Sequence, residues 1–373
     1  MITCKTCIMD SISDTEFKID KEGICNYCND FIKKKNQYIF SNDEEESNLK
    51  KIFEKFTSEK SPEGYDCLTG LSGGVDSSYI IDLLSRMKLN PLVVHLDNGW
   101  NSEISSDNIK KLLNKTKFDF KTIVIDWNEF KSLQRSFLKA GVVDTEILTD
   151  HAIMASLYKV ANEHKIKNII GGSNYLTEHG MPKNWIWYKT DLSNIKDINQ
   201  KFENIELNTF PTLSTIEIFY KKFISKFFSH LFFSPNFTLI LDKINYKKNN
   251  AINLLKEKYE WIYYGDKHYE SIFTEFYQAY ILIKKFKIDK RKPHLSCLIR
   301  NGEITKEEGL AELNKPTYSN IKLKNRKEFV LNKLNLSEKE FNTIMLQKSN
   351  PHNKYKSDKF IFDLLKIYRK IFK

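Results

Sequence analysis

The sequence predicts an α/β fold: a doubly wound parallel sheet, preceded by a small cysteine module and followed by a mostly helical region. Three observations predict it. Strand-length apolar runs alternate with amphipathic helical patterns between about residues 60 and 185. Two C-x2-C pairs occupy the first 28 residues. Beyond about 190, strand-like runs fade and helical periodicity takes over. The expected organisation is a Cys4 module over 1–40, an α/β domain over 41–190, and a mostly helical region over 191–373.

Composition bounds the possibilities. A chain of 373 residues suits two or three domains. At 41% hydrophobic and 29% charged, it can bury a core and is not of the disordered or collagen-like class. No run of about 18 apolar residues exists, so no transmembrane helix is expected. The amino terminus has no basic-then-apolar segment, and a cytoplasmic location is expected. The net charge is +11, yet only six basic residues are Arg and 53 are Lys. Bidentate phosphate and base recognition favours Arg, so the excess reads as a solvated surface and no nucleic-acid partner is expected.

Taken in order, Cys4, Cys7, Cys25 and Cys28 come first. Seventeen residues separate the pairs, within the spacing of a Cys4 zinc site. Two knuckles supply four thiolates, enough for a closed, structural Zn²⁺ centre; an iron–sulfur cluster is the alternative occupant. Free thiols or two disulfides are the remaining possibilities, and the expected compartment disfavours disulfides. Cys67 reads as a core residue of a strand, and Cys297 as ordinary packing.

Residues 42–58 read as a helix with acidic residues at its start and lysines after them, which suits the helix dipole. A turn at 61–64 leads to a strand over Tyr65–Leu71 and a helix over Ser77–Met87. Strands are then expected at Pro91–Leu96, Phe120–Ile125 and Asn168–Ile170. Helices are expected at Ser105–Thr116, Asn128–Lys139 and Asp150–Lys165. Residues 214–232 carry an aromatic stripe interrupted by lysines, which suits a core or partner interface, or else a membrane-surface helix. The tail from Ser349 reads as a terminal amphipathic helix.

The stretch Leu71-Ser72-Gly73-Gly74-Val75-Asp76-Ser77-Ser78 joins the first strand to the first sheet helix. Glycines allow close backbone approach to an anion, and the helix N-terminus offers free N–H groups and a favourable dipole. The serines add donors, and Asp76 can orient the loop or hold Mg²⁺. No Lys stands where a Walker-type loop requires one, so this is not the loop of an ordinary kinase or GTPase. Set between strand and helix, S-G-G-x-D-S resembles the PP-loop of the ATP pyrophosphatase superfamily. Those enzymes hold β,γ-pyrophosphate as leaving group and transfer AMP to an oxygen. Asp97 lies past the second strand, at the carboxyl edge where open α/β sheets bind ligands, in reach of a ribose or a metal. Gly171-Gly172 end a later strand on that edge, placed to lie under the phosphates or simply to turn the chain.

The order of features narrows the resemblance. After the cysteine pairs and the loop come His95-Leu-Asp-Asn-Gly-Trp100, Asp144-Thr-Glu146, Thr149-Asp-His151, Tyr264-Gly-Asp-Lys-His-Tyr-Glu-Ser271 and Arg291-Lys-Pro-His-Leu-Ser296. Over about residues 1–315 the chain resembles the N-acetyl sugar amidotransferases of bacterial surface-polysaccharide (lipopolysaccharide O-antigen) and flagellin-sugar synthesis. The resemblance implies that the oxygen of a sugar's acetamido group is adenylated with ATP and Mg²⁺, then replaced by ammonia to give an acetamidino group. It also implies a sugar or nucleotide-sugar substrate, and a glutaminase subunit and a cyclase-like barrel subunit that supply ammonia. Independently, position 2 is Ile and no cysteine sits in a nucleophile elbow, so glutamine hydrolysis is not expected on this chain.

Candidate catalytic residues are Asp76, Lys267, His268, Glu270 and Arg291. His268 or Glu270 suits removal of a proton from the attacking ammonia, and Lys267 or Arg291 suits phosphate charge. Asp150 is either a helix N-cap or functional. The competing function is a tRNA-modifying thiolase of the same superfamily. Against it stand the few arginines and the lack of a further C-x2-C pair. A non-enzymatic zinc scaffold would need a degenerate loop, and this loop is intact.

Overall fold

The computed structural model describes residues 1–12, 14–218, 233–265 and 269–364. Five strands form one wholly parallel sheet: β1 (Cys67–Gly70), β2 (Pro91–Asp97), β3 (Asp119–Val124), β4 (Asn168–Gly171) and β5 (Asn236–Leu239). Their order is β3-β2-β1-β4-β5. The chain therefore runs outward from β1 to β3 and returns to the other side of β1. That reversal puts a crevice at the carboxyl ends of β1 and β4, where ligands of such sheets bind.

The helices in chain order are α1 (Asn26–Lys34), α2 (Asn42–Ser58), α3 (Val75–Arg86), α4 (Glu103–Thr116), α5 (Trp127–Ala140), α6 (Ile147–Glu163), α7 (Tyr175–Glu178), α8 (Leu192–Phe202) and α9 (Lys248–Tyr259). There follow α10 (Ile272–Phe276), α11 (Arg291–Arg300), α12 (Lys306–Asn314), α13 (Asn320–Leu334) and α14 (Glu338–Leu346). Ser41 caps α2 in a reciprocal capping box with Glu44, and acidic residues fill the first turn, as the sequence predicts.

Strand alternation sorts the core into two faces. Leu68 pairs in register with Leu92, and Thr69 with Val93. Leu68, Leu92 and Val94 pack with Ala155, Leu157 and Val160 of α6. Cys67, Leu71 and Val93 pack on the opposite face with Ile80 and Leu84 of α3, Leu112 of α4, and Leu255 and Tyr259 of α9. Burial of Cys67 in this core agrees with the sequence.

One boundary changes. The fifth strand, β5, comes from 236–239, so the sheet takes chain from beyond the expected boundary at 190. The helical region shares a core with the α/β part. Phe130, Phe137 and Leu148 share one apolar cluster with Phe276, Ile281, Leu331 and Phe341. Within that cluster Lys333 of α13 donates to the Gly99 carbonyl and lies over the rings of Trp100 and Trp127, fixing the loop after β2. Residues 219–232, which carry most of the aromatic stripe, and 365–373 of the tail lie outside the described residues. Among the described residues no helix is long and apolar enough to cross a membrane.

Candidate functional site

The loop after β1 turns at Gly73, whose φ of +80° is left-handed backbone. A Cβ there would lie 2.5 Å from the Ser105 carbonyl oxygen, so only glycine fits between β1 and α4. Gly74 is the N-cap of α3, which has no side-chain cap. The Val75 N–H meets the Tyr264 hydroxyl, and the N–H groups of Asp76 and Ser77 are left for an anion. Ser77 Oγ ties the loop to itself, 3.1 Å from Ser72 Oγ and donating to the Gly74 carbonyl at 3.2 Å. Ser72 Oγ accepts from the Gly74 N–H at 3.3 Å.

The strand before the loop is fixed from its neighbour. Leu71 N–H donates to the Val94 carbonyl. The Leu71 carbonyl lies 2.7 Å from His95 Nδ1, which must carry the proton because a carbonyl only accepts. Nε2 is then an acceptor, and Asn101 Nδ2 meets it at 2.9 Å. Leu71 therefore contributes structure through its backbone, with its side chain buried.

An aromatic wall closes over the loop. Trp261 Nε1–H donates to the Gly73 carbonyl at 3.2 Å, and the Tyr264 hydroxyl accepts from Val75 N–H at 3.2 Å. Tyr246 donates to Asp76 Oδ1. Burial pushes the Tyr246 and Tyr264 hydroxyls well above the ordinary range, with the Asp76 and Glu270 carboxylates adding to the effect respectively. Both therefore stay protonated donors. The segment at 261–264 is hung on α4 by Asn108, which exchanges two hydrogen bonds with Ile262 at 2.8 and 2.9 Å. The sequence reading missed Tyr246, Trp261 and Tyr264 as loop partners. The apolar run Trp261–Tyr264 beside a charged motif is the signal that could have found two of them.

Glu270 reaches the same place. Its segment is hydrogen-bonded to the loop after β2: Ser102 N–H to the Glu270 carbonyl, and Ile272 N–H to the Trp100 carbonyl, both 2.9 Å. A Cβ on Gly74 would lie 3.2 Å from Glu270 Oε1 and 3.1 Å from the Tyr264 hydroxyl. The structure therefore brings together Ser72, Gly73, Gly74, Asp76, Ser77 and Glu270. Gly172 joins them, since a Cβ there would lie 3.8 Å from Ser77 N and from Asp76 Cβ. Gly171 closes β4 against Phe237 of β5 and serves packing. Asp97 ends β2 at the same sheet edge, where its Oδ1 accepts from Gly99 N–H at 2.8 Å. Asp76 takes the Tyr246 hydroxyl and Asp97 the Gly99 N–H, each on Oδ1.

Other candidates fall elsewhere. Ser78 is fully buried, its Oγ without a hydrogen-bond partner, so its side chain is out of reach of a nucleotide. Lys267 and His268 lie outside the described residues. Arg291 spends its guanidinium on Asp289 at 2.7 Å and on the Leu313 and Lys315 carbonyls at 3.1 and 2.8 Å, pinning the end of α12. Asp150 is not an N-cap: α6 begins with Glu146 as N-cap, and Asp150 sits in its first turn, paired with Lys189. His151 is fully buried, with Nδ1 on the Lys189 carbonyl at 2.9 Å and Nε2 accepting from Leu213 N–H at 3.1 Å. A shallow surface depression, no larger than a water molecule, is lined by Tyr269, Gln278, Asp289, Lys290, Arg291 and His294. Lys290 there pairs with Glu146 at 2.6 Å.

The four cysteines at the amino terminus converge. Their sulfurs lie within 4.8 Å of one another, with Cys4–Cys28 at 3.9 Å and Cys7–Cys25 at 3.7 Å. A tetrahedron of sulfurs at about 2.3 Å from a zinc ion has edges of roughly 3.8 Å. A disulfide would need about 2.05 Å. Backbone N–H groups of Thr6, Cys7 and Cys25 point at Cys4 Sγ at 3.3–3.5 Å, which favours a thiolate there. The donor set fits a metal ion.

Residues 270–371 match the family model described as LPS biosynthesis protein WbpG-like, C-terminal domain. That match bears out the resemblance to surface-polysaccharide enzymes read from the motifs. No curated protein matches the chain. Among solved structures, the NMN synthetase of Francisella tularensis aligns at 21% identity over 37% of this chain and 57% of its own, TM-score 0.29. The chain thus spans little more than half of that synthetase. The NH3-dependent NAD synthetase of Campylobacter jejuni aligns at 17% identity over 60% of this chain and 86% of its own, TM-score 0.30. The U34-tRNA thiolase NcsA of Methanococcus maripaludis, with its 4Fe–4S cluster, aligns at 15% identity over 87% of this chain and 95% of its own, TM-score 0.31.

Proposed function

We propose that this chain is an AMP-forming amidotransferase that converts the acetamido group of a bacterial N-acetyl sugar into an acetamidino group. The observation that carries the reading is the uncapped, glycine-turned loop at the start of α3, in a chain whose residues 270–371 match a lipopolysaccharide-biosynthesis model. An amide oxygen is a poor leaving group, and transfer of AMP makes it a good one. The acetamido oxygen attacks the α-phosphorus of ATP and pyrophosphate leaves with the electrons of the broken P–O bond. Ammonia then adds to the acetamido carbon, the C–O bond breaks, AMP departs with that electron pair, and one proton is lost.

The chain's own groups divide this work. The α3 N-terminus, Ser72 and Ser77 hold the pyrophosphate portion, where negative charge develops. Asp76 and Asp97 would hold Mg²⁺, which supplies charge neutralisation on the phosphates. Glu270 accepts the proton from the attacking ammonia. The sugar is received on the surface around Tyr269, Gln278 and His294, with Tyr269 adjoining Glu270 in sequence. Cys4, Cys7, Cys25 and Cys28 hold a structural zinc ion.

Ammonia comes from a separate glutaminase through a barrel partner. In support, Cys67 and Cys297 are both buried, and neither is available as a glutaminase nucleophile. The test supplies ATP, Mg²⁺ and ammonium with a panel of free and nucleotide-linked diacetamido sugars. AMP, pyrophosphate and a sugar in which NH replaces O are expected. AMP formation that depends instead on tRNA and a sulfur donor would replace this reading with a tRNA thiolase.

A further inference from the structure

Arg300, the last residue of α11, points into the cysteine module. Its Nη1 lies 3.9 Å from Cys7 Sγ. Its Nη2 donates to the His179 carbonyl at 2.8 Å and to Cys297 Sγ at 3.2 Å. Its Nε is sealed from solvent with no hydrogen-bond partner, and among the described residues no carboxylate lies within ion-pair distance of it. A cation withdrawn from water without a carboxylate is costly unless some other negative charge faces it. Cys297 donates to the His179 carbonyl and is a neutral thiol, so Cys7 Sγ, a thiolate when it holds metal, is the anionic group in reach. A divalent ion held by four thiolates leaves a net charge of about −2, and that charge is local and buried.

The contact is not isolated. Lys306 at the start of α12 donates to the Cys4 and Lys5 carbonyls, both at 2.9 Å. Lys292 of α11 pairs with Asp10 at 2.5 Å. Three cations from one carboxyl-terminal segment thus close on the amino-terminal module. Gly180 leaves room for the guanidinium, since a Cβ there would lie 2.9 Å from Nη2. The opposite end of the same helix carries Arg291 and His294, which line a surface depression with Tyr269.

We propose that Arg300 is the counter-cation of the Cys4 metal centre, and that this pairing makes metal occupancy the clasp that seats α11, the helix that carries Arg291 and His294. The inference rests on the metal reading of the four cysteines, not on the identity of the sugar. With metal bound, the thiolate charge and the guanidinium neutralise each other in a site shielded from water. Without the ion, nothing holds the two knuckles together, Cys7 Sγ is no longer fixed against the guanidinium, and α11 loses its anchor on the module. Arg300 is a positioning residue that acts on chemistry about one helix length away.

The test uses the full chain. Metal content is measured after purification in zinc, then the rate of metal loss to a chelator is compared for the wild type, Arg300→Gln and Arg300→Lys. Outer contacts of this kind typically change metal affinity by roughly 10–100-fold. A loss in that range is expected for Arg300→Gln, with partial rescue in Arg300→Lys. In parallel, hydrogen exchange of the wild type is followed with and without chelator. Exchange should rise together in residues 1–34 and 291–314, while β1 and β2 stay protected. A wild type that binds no metal would overturn the metal reading itself. A metal-loaded wild type whose loss rate is unchanged by Arg300→Gln, or whose α11 stays protected after chelation, would overturn only the clasp.

Discussion

The Tyr264 hydroxyl lies 3.2 Å from the backbone nitrogen of Val75, accepting the first N–H of the helix that follows the Gly73-Gly74 turn. A residue 189 positions away in sequence therefore finishes the loop's geometry. Removing that acceptor leaves the N–H without its partner. Tyr264→Phe is expected to destabilise the chain by about 1 kcal/mol and to raise the KM for ATP more than it lowers kcat. Urea unfolding and steady-state pyrophosphate release check both.

Gly73→Ala places a Cβ 2.5 Å from the Ser105 carbonyl, on backbone at φ +80°. Strain at such a position is of order 1–3 kcal/mol. The loop must move to relieve it, and its N–H groups lose their aim. ATP-dependent AMP formation is expected to fall by about 100-fold or more, as when one preorganised donor is lost. Activity within a few-fold of wild type would show that the phosphates are held elsewhere.

Glu270→Gln separates the two chemical steps. If its carboxylate takes the proton from ammonia, pyrophosphate exchange into ATP with sugar present should survive. Acetamidino sugar formation should fall by roughly 10²–10⁴-fold. Equal loss of both steps would assign Glu270 to nucleotide binding instead.

The loop, four of the five strands, helix 42–58 and the Cys4 module were legible because each is written in residues close together in sequence. The rest is written in contacts between distant segments. β5 is four residues, Asn-Phe-Thr-Leu, too short to show alternation, and becomes a strand by pairing with β4. Trp261 and Tyr264 reach the loop because Asn108 holds the backbone of Ile262. The sequence shows that Arg291 is charged, but not that Asp289 and the end of α12 take its donors. Ser78 belongs to the loop's signature, and helical geometry turns it inward.

Two buried histidines set the acid limit of stability. Burial holds His151 and His352 at about 4, below their ordinary 6.5. His352 Nδ1 faces Asn194 Oδ1 at 2.9 Å, and its Nε2 accepts from Asp144 N–H at 3.2 Å. The folded chain holds both neutral, while the unfolded chain protonates them below about 6.5. Stability is therefore full above that pH and is lost as pH falls from 6.5 towards 4, by on the order of 3 kcal/mol per histidine. Urea midpoints across pH 4–7 test this, and His352→Gln should flatten the slope by about half. A flat profile in the wild type would mean that neither ring is held neutral.

The most direct measurement follows the acetamido oxygen. A diacetamido sugar labelled with oxygen-18 in its acetamido groups is incubated with the chain, ATP, Mg²⁺ and ammonium, and the AMP is analysed by mass spectrometry. Adenylation of the acetamido oxygen predicts one oxygen-18 in the AMP phosphate for each acetamidino group formed. Unlabelled AMP alongside amidinated sugar, or ADP and phosphate as the nucleotide products, would contradict it.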